Sequence, residues 1–382
     1  MRATISLCVA IHFGLFGVAA NAGSRSLGQF VAHVESHVPT LLAKEGAAGL
    51  AVATVEDGKT VYLGGFGFAN KEAGTPVTAD TIFNMASVSK AVSALGVLRL
   101  IHERGISLDG AVLPVFPKWQ FPDPNADTSQ VTFRRVLGHR AGLSMPSVPW
   151  FFPPARVPSL TEILKDGSAD VERLYIKYPA NEFNYSGGGY AMLQLLVEQL
   201  TGESFDAYMR SRIFKPLGMS VTTFDQKADV KRAVGYDEDG KPIGHYEIVG
   251  SAAGGLYSSA ADFAHVVHLY MPSGSDRDNV ISPEQLLQIS ANTVPVRYAG
   301  VDPKVFGGAK YGLGHGVHIT KRQELLLYHS GGNPGFIAYF IVAPNTGRGL
   351  VMMANSANAR SAMEDVRRAW ADQYGYDLPE FY

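Results

Sequence analysis

The amino-acid sequence predicts a mixed α/β (α+β) fold in which one antiparallel sheet, built from both chain ends, is flanked by helices and encloses a mainly helical middle. Strand patterns occur at 50–68 and 324–354. Apolar residues at helical spacing occur near both chain ends, at 26–46 and 360–374, and in the middle at 190–214. Together these observations indicate that both ends of the chain contribute to one sheet and that a helical domain is inserted between them.

The N-terminal elements are predicted as a helix, a hairpin and a second helix. The first helix ends at Gly46, and an Asp-Gly turn separates the two strands. The second helix follows Ser87 and ends near Gly105. The predicted ranges are 26–46 for the first helix, 50–55 and 60–68 for the strands, and 88–103 for the second helix.

The middle of the chain is loop-rich and dense in proline over 106–160, and it then becomes helical. Helices are predicted at 190–200, 205–214, 262–271, 283–291 and 360–374, and strands at 324–328, 335–343 and 349–354. We therefore predict a sheet domain from 23–95 and 250–382, an inserted helical domain over 96–249, and no internal repeat.

The composition is that of an ordinary globular protein and argues against a nucleic-acid partner. The chain has 382 residues, 46% hydrophobic and 18% charged, with 33 Lys and Arg against 35 Asp and Glu. The Lys and Arg residues do not form a cluster of the kind that binds the phosphates of a nucleic acid, so a nucleic-acid partner is not expected.

The N-terminal segment 1–22 has the pattern of a signal peptide. Arg2 precedes an apolar run over 5–20, and Ala20-Asn21-Ala22 forms a small-x-small site with cleavage expected before Gly23. An uncleaved anchor and a core helix are the alternatives. Cys8, the only cysteine, lies in this segment, so the mature chain would hold neither disulfides nor thiol ligands. We expect an exported protein, periplasmic or secreted, without a stable membrane span after cleavage.

Ser87-Val88-Ser89-Lys90 is the first pattern that carries chemistry. If Ser87 begins the helix, Lys90 lies one turn later on the same face. A serine hydroxyl becomes a good nucleophile when a neighbouring base takes its proton. Lysine can be that base where desolvation lowers its pKa. Taken alone, the pattern fits equally an N-cap serine followed by a surface lysine.

Two further patterns supply the remaining parts of a hydrolase site. Tyr185-Ser186-Gly187 precedes an apolar helix, and a tyrosine beside a lysine can share its proton. His329-Ser330-Gly331-Gly332 follows the strand residues 325–327, where backbone N–H groups can stabilise an oxyanion. Each pattern also fits an ordinary turn, with a packed tyrosine in one and a surface histidine in the other.

The three patterns together resemble the motifs of the penicillin-recognising serine hydrolases. That superfamily includes class C β-lactamases, DD-carboxypeptidases, D-aminopeptidases and β-lactamase-like (family VIII) esterases. The order and spacing match, and the similarity extends over about residues 27–375. Further stretches that resemble non-catalytic family features lie at 137–143, 216–219, 254–262 and 311–314.

The resemblance implies a role for each residue. Ser87 would attack an acyl carbon, while Lys90 and Tyr185 would move its proton to the leaving group and help to activate the deacylating water. The backbone N–H groups of Ser87 and Gly332 would form the oxyanion hole. His329, Ser330 and Gly331 would line the strand on which a small ester, peptide or β-lactam substrate docks. The resemblance implies no metal and no organic cofactor.

The sequence departs from the family pattern at two positions. Gly187 stands where the second motif usually has asparagine, and His329 stands where β-lactamases mostly carry lysine. An imidazole is largely neutral above about pH 6.5, so it anchors a substrate carboxylate less well than lysine does. These departures favour an ester or D-amino-acid amide hydrolase over a class C-type β-lactamase.

Three points stay open at this stage. The aromatic segment 145–158, which contains Trp150, fits either packing against the helical domain or a lip over the substrate pocket. His33 and His37 lie four residues apart on a helix, but without the His-Glu-x-x-His pattern we interpret them as an exposed helical face. A catalytically weak penicillin-binding or cell-wall-binding protein is the alternative from another functional class.

Overall fold

The computed structural model describes residues 26–116, 119–272, 280–297 and 308–379. The predicted signal segment lies outside the described residues. Within the described ranges, no helix combines the length and the hydropathy that crossing a membrane requires.

The strands concentrate near the two ends of the chain, with short pairs in the middle. They are β1 (Gly49–Glu56), β2 (Lys59–Asn70), β3 (Thr75–Pro76), β4 (Phe83–Asn84), β5 (Trp150–Phe151), β6 (Gly235–Tyr236), β7 (Pro242–Ile243), β8 (Glu247–Ile248), β9 (Tyr257–Ser258), β10 (Val294–Pro295), β11 (Lys310–Tyr311), β12 (Gly316–Ile319), β13 (Leu325–Asn333), β14 (Phe336–Ala343) and β15 (Arg348–Ala354).

The helices occupy the ends and the middle of the chain. They are α1 (Leu27–Glu45), α2 (Ser89–Glu103), α3 (Phe133–Leu137), α4 (Leu160–Asp166), α5 (Gly187–Thr201), α6 (Phe205–Met209), α7 (Ser251–Gly254), α8 (Ala260–Leu269), α9 (Pro283–Ala291) and α10 (Arg360–Tyr374). A π-helical turn, Arg210–Phe214, continues α6.

Nine strands form one antiparallel sheet in the order β10-β11-β12-β13-β14-β15-β1-β2-β3. β1 lies between strands from opposite ends of the chain, because Leu50 pairs with Ala354 on one side and with Phe66 on the other. The predicted antiparallel sheet built from both chain ends is therefore confirmed.

Side chains alternate between the two faces of the sheet, and each face buries a separate hydrophobic core. On β1, Leu50 and Val52 pack in a core with residues of α1 and α10, such as Phe30 and Trp370. Ala51, Ala53 and Val55 face the opposite core, which includes residues of α2, α5 and α8. The helix that follows the predicted nucleophile therefore lies on the other side of the sheet from the two terminal helices.

One sequence prediction needs correction at the end of a strand. The strand predicted over 324–328 continues as β13 to Asn333, so His329, Ser330, Gly331 and Gly332 lie within a strand rather than after it. Glycine weakens an isolated strand, but here β14 pairs with every position from Leu327 to Asn333. Pairing with a neighbouring strand therefore outweighs the local preference of glycine for a turn.

Candidate active site

A short turn presents Ser87 at the start of α2. Ser87 lies in the 3₁₀ segment Ala86–Val88, and Ala86 adopts a left-handed backbone conformation with φ of 45°. The Ala86 N–H donates to Asn84 Oδ1 at 2.9 Å, and the Met85 N–H donates to Leu256 O at 2.8 Å. A non-glycine residue at positive φ is uncommon and persists where its surroundings hold it. These bonds fix the turn that carries the hydroxyl.

Lys90 is the second residue of α2, about one turn after Ser87. Its side chain is 3% exposed, and its Nζ donates to Ser87 Oγ at 3.1 Å and to Ala253 O at 2.5 Å. Burial lowers the pKa of this amine to about 7, because the charged form loses its hydration. A lysine with such a pKa is largely neutral in mildly alkaline solution, where it can accept a proton from the hydroxyl it contacts.

Tyr185 lies on the other side of Lys90. Lys90 Nζ is 4.9 Å from the centroid of the Tyr185 ring. The following residue anchors the tyrosine to α5, since Ser186 Oγ accepts from the Gly189 N–H at 3.0 Å and donates to Ser144 O at 2.6 Å. The phenol ring of Tyr185, almost a hundred residues further along the chain, therefore lies beside the hydroxyl and amine of the Ser87–Lys90 pair.

The backbone of β13 runs directly beside the nucleophile. β12 and β13 pair only as far as Gly316 and Tyr328, so in the described part of the chain the rest of β13 pairs with β14 alone. A Cβ on Gly331 would lie 2.6 Å from Ser87 N, whereas a Cβ on Gly332 would meet nothing within 4 Å. This strand edge therefore lies beside the Ser87 amide, where the family resemblance implies an oxyanion hole.

His329 is neutral in this environment. Its Nδ1 lies 2.6 Å from Ser330 O, and a carbonyl only accepts, so Nδ1 carries the hydrogen. Its Nε2 then accepts from the Tyr311 hydroxyl at 2.9 Å. Burial first, and the charge of Lys90 second, lower the pKa of His329 to about 3. Both ring nitrogens are occupied, and the ring carries no charge that could attract a carboxylate.

These residues border a cleft of about 240 Å³. Among its described lining residues there is no Lys, Arg, Asp or Glu, and the only side chain of a common metal-ligand type is His329. The lining residues are Ser87, Phe183, Tyr185, Val296, Ala309, Tyr311, Gly316, Tyr328, His329, Ser330, Gly331 and Gly332. The described lining is thus without charged side chains and partly aromatic, with the nucleophile and β13 in the wall of the cleft.

Two residues expected to bind substrate are not among those that line the cleft. Trp150 pairs with Ile248 in the β5–β8 ribbon and is 42% exposed. Gly187 is buried at the start of α5, and a Cβ there would lie 3.2 Å from Pro146 O. An asparagine at this position would therefore require the backbone around Pro146 to shift by a few tenths of an ångström.

His139 was not singled out from the sequence, although it lies within a stretch, 137–143, that resembles a family feature. Its ring centroid is 4.2 Å from that of Tyr185. His139 Nδ1 accepts from the Ser186 N–H at 3.1 Å, and its buried Nε2 has no hydrogen-bond partner. Burial, reinforced by the nearby charge of Lys90, holds the pKa of His139 well below its usual value. A neutral ring therefore packs behind the predicted catalytic phenol.

A family model described as Beta-lactamase matches residues 34–374. The chain belongs to the β-lactamase family. The resemblance found in the motifs is thereby confirmed, and this β-lactamase family member is a serine hydrolase with a β-lactamase/transpeptidase-like fold.

Individual relatives of this β-lactamase family member are distant. Penicillin-binding protein 4 of Amycolatopsis lactamdurans is 26% identical, with 92% of each chain covered. Protein flp of Staphylococcus aureus strain MW2 is 22% identical over 82% of this chain, which spans only 61% of flp. The D-amino acid amidase of Ochrobactrum anthropi SV3, solved with L-phenylalanine, superposes with a TM-score of 0.73 at 23% identity, covering 91% of this chain and 98% of the amidase. The amidase comparison supports the fold.

Proposed function

We propose that the protein hydrolyses esters that lack a carboxylate, and more slowly amides that lack one, such as D-amino-acid amides, through an acyl-enzyme on Ser87. The observation that carries this proposal is the neutral His329, with both ring nitrogens occupied, in a cleft whose described lining residues include no Lys or Arg. A substrate carboxylate would lose its hydration in this cleft without gaining a cationic partner among the described lining residues.

The proposed acylation step uses the contacts around Ser87. Ser87 Oγ bonds to the acyl carbon, and its proton passes to the neutral Lys90 amine, which it already contacts at 3.1 Å. The ester or amide bond then breaks, and Lys90 with Tyr185 returns the proton to the departing oxygen or nitrogen. Water attacks the acyl-enzyme by the reverse proton path, and this releases the acid and restores Ser87.

The negative charge formed on the acyl oxygen needs donors at the strand edge. The N–H groups of Ser87 and Gly332 are the proposed pair, supported by the close approach of β13 to the Ser87 backbone. Loss of one such donor typically raises the barrier by about 3 kcal/mol. Phe183, Tyr311 and Tyr328 supply an aromatic wall for the acyl chain or the leaving group.

Matched substrates test the charge preference. We expect p-nitrophenyl butyrate to be hydrolysed with a higher kcat/KM than p-nitrophenyl hemisuccinate, which adds a carboxylate to an acyl chain of the same length. A chromogenic cephalosporin and a D-alanyl peptide, each carrying a carboxylate, should be slower still. The Ser87→Ala variant should lose ester turnover and sets the background. Faster cephalosporin turnover would favour the β-lactamase alternative.

A fluorescent phosphonate or penicillin separates an enzyme from a binding protein. Wild-type protein should be labelled on Ser87, and the Ser87→Ala variant should not. Labelling without ester turnover would support the alternative of a catalytically weak penicillin-binding protein.

We also propose export, supported by the pattern of residues 1–22. Expression of the full chain in a bacterium should give a mature protein that begins at Gly23 in the periplasm or medium. N-terminal sequencing of the fractionated protein is the test, and an intact Met1 in the cytoplasm would contradict it.

A further inference from the structure

Two histidines of α1 and one aspartate of α10 form a compact group on the outer side of the sheet. His33 Nε2 lies 2.8 Å from Asp365 Oδ2 and 3.1 Å from His37 Nδ1. His37 Nδ1 lies 3.7 Å from the same carboxylate oxygen. In the part of the chain that the structure describes, this is the one group of three His, Cys, Asp or Glu side chains close enough to share an ion.

Two-centre hydrogen bonds alone do not satisfy both short contacts of His33 Nε2, one to Asp365 Oδ2 and one to His37 Nδ1. A carboxylate only accepts, so His33 Nε2 must carry a hydrogen to bond Asp365. The same nitrogen then cannot accept from His37, and its single hydrogen would have to serve two acceptors. If His33 Nε2 instead accepts a hydrogen bond from His37, it carries a lone pair. That lone pair then faces a lone pair of Asp365 Oδ2 at 2.8 Å, which is repulsive. A cation among the three atoms removes this conflict.

The spacing of the three atoms fits a small tetrahedral ion. Bonds of about 2.0–2.1 Å to nitrogen and oxygen place neighbouring tetrahedral ligands about 3.3 Å apart. The observed separations of 2.8, 3.1 and 3.7 Å lie on both sides of that value. Side-chain exposures of 15%, 53% and 31% for His33, His37 and Asp365 leave a route for the ion and space for a water ligand.

We propose that His33, His37 and Asp365 bind a divalent transition-metal ion of the Zn²⁺ type, which joins α1 to α10. Imidazole and carboxylate ligands suit this class of ion. From sequence the two histidines fit an exposed helical face, since they lack the His-Glu-x-x-His pattern. Their third partner, Asp365, lies 332 residues beyond His33 in the chain. The site is structural rather than catalytic, since α2 and Ser87 lie across the sheet.

The test uses untagged protein freed of metal with a chelator and titrated with Zn²⁺ in a calorimeter. Wild-type protein should bind one Zn²⁺ per chain, and Zn²⁺ should raise its melting temperature because binding favours the folded state. Asp365→Asn and His37→Gln should each weaken the affinity by at least about tenfold, since even altered outer-shell partners cost 10–100-fold. Ester hydrolysis should be unchanged in both variants.

His265→Gln is the matched control, because His265 and His268 form a pair of rings 5.6 Å apart that has no third ligand in the described residues. This variant should bind Zn²⁺ like the wild type. Failure of the wild type to bind, or equal affinity in Asp365→Asn and His37→Gln, would overturn the proposal. If His37→Gln weakens the Zn²⁺ affinity but Asp365→Asn does not, the ion is bound by a surface histidine pair alone. That result would also overturn the proposal.

Discussion

Lys90 can accept a proton from Ser87 only while its amine is neutral, and burial is what makes that form accessible. The same burial affects stability. The pKa of Lys90 is about 7 in the folded protein and 10.5 when exposed, so the unfolded chain binds more protons between these values. The contribution of Lys90 to the free energy of unfolding therefore increases as the pH rises from about 7 to 10.5.

The pKa of Lys90 predicts the pH dependence of ester hydrolysis. Because the neutral amine is the base, kcat/KM should rise about tenfold per pH unit below pH 7 and level off above it. The pKa of His329 is about 3, so this residue should add no step in this range. Initial rates at low substrate concentration, over about pH 5 to 9, check this. A flat profile, or one that falls as pH rises, would exclude Lys90 as the base.

His139 is predicted to be a positioning residue for Tyr185. His139→Asn keeps an acceptor for the Ser186 N–H and suits the positive φ of 56°, but it removes the ring that packs 4.2 Å from Tyr185. Loosening a catalytic group should lower kcat about 10- to 100-fold. We expect KM and the melting temperature to change little.

Steady-state kinetics and thermal unfolding of His139→Asn test this role. An unchanged kcat would show that the ring does not position the phenol. A fall in stability with kcat intact would show a purely structural role.

At the scale of elements, the approach of β13 to the nucleophile turn depends on one glycine. Gly331→Ala places a methyl group 2.6 Å from Ser87 N and 2.8 Å from Met85 O, so the strand and the turn must separate. A shift of this kind moves an oxyanion donor, and we expect kcat to fall about 10²–10³-fold.

Gly332→Ala is the matched control for Gly331→Ala. The added methyl group meets no atom within 4 Å, and the backbone N–H is retained. Ester hydrolysis by both variants is the measurement. Equal activity of the two would contradict the proposed oxyanion hole at this strand edge.

The bounds of the helices and strands show which elements local sequence patterns predict correctly. The repeat of apolar residues predicts α9 and α10 at their observed bounds, because each buries one face on a neighbour. The extent of β13 was underestimated, since its glycines favour a turn unless a partner strand supplies hydrogen bonds. Gly187 replaces the asparagine of the family motif, and the structure adds what the sequence does not reveal: a Cβ there would lie 3.2 Å from Pro146 O.

For the whole molecule, the sheet separates the site from the core formed by α1 and α10. Trp370 is fully buried in that core. Trp370→Ala should lower the free energy of unfolding by about 3–5 kcal/mol, through lost burial and the cavity left behind. Denaturant unfolding measures this change.

The kcat for ester hydrolysis is the second measurement to make on Trp370→Ala. Because the residue packs across the sheet from α2, kcat of the folded variant should stay near that of the wild type at low temperature. A large loss of kcat without a loss of stability would show that the two cores are coupled.

The motifs predict Ser87, Lys90 and Tyr185 from sequence because their residue types and order carry the chemistry, and the structure brings them together. His139 and Asp365 could not be found in this way. His139 becomes significant only when its ring meets Tyr185, and Asp365 only when α10 packs on α1. Contacts between segments that are distant in the chain produce no characteristic residue spacing in the sequence, so a motif search does not detect them.

The position of β1 inside the sheet also affects how the chain folds during its synthesis. Leu50 leaves the ribosome early, but its partner Ala354 follows about 300 residues later, a delay of roughly 15–60 s at about 5–20 residues per second. Throughout that interval one edge of a strongly apolar strand has no native neighbour. We therefore expect β1 of the nascent chain to be prone to mispairing until Ala354 has been synthesised.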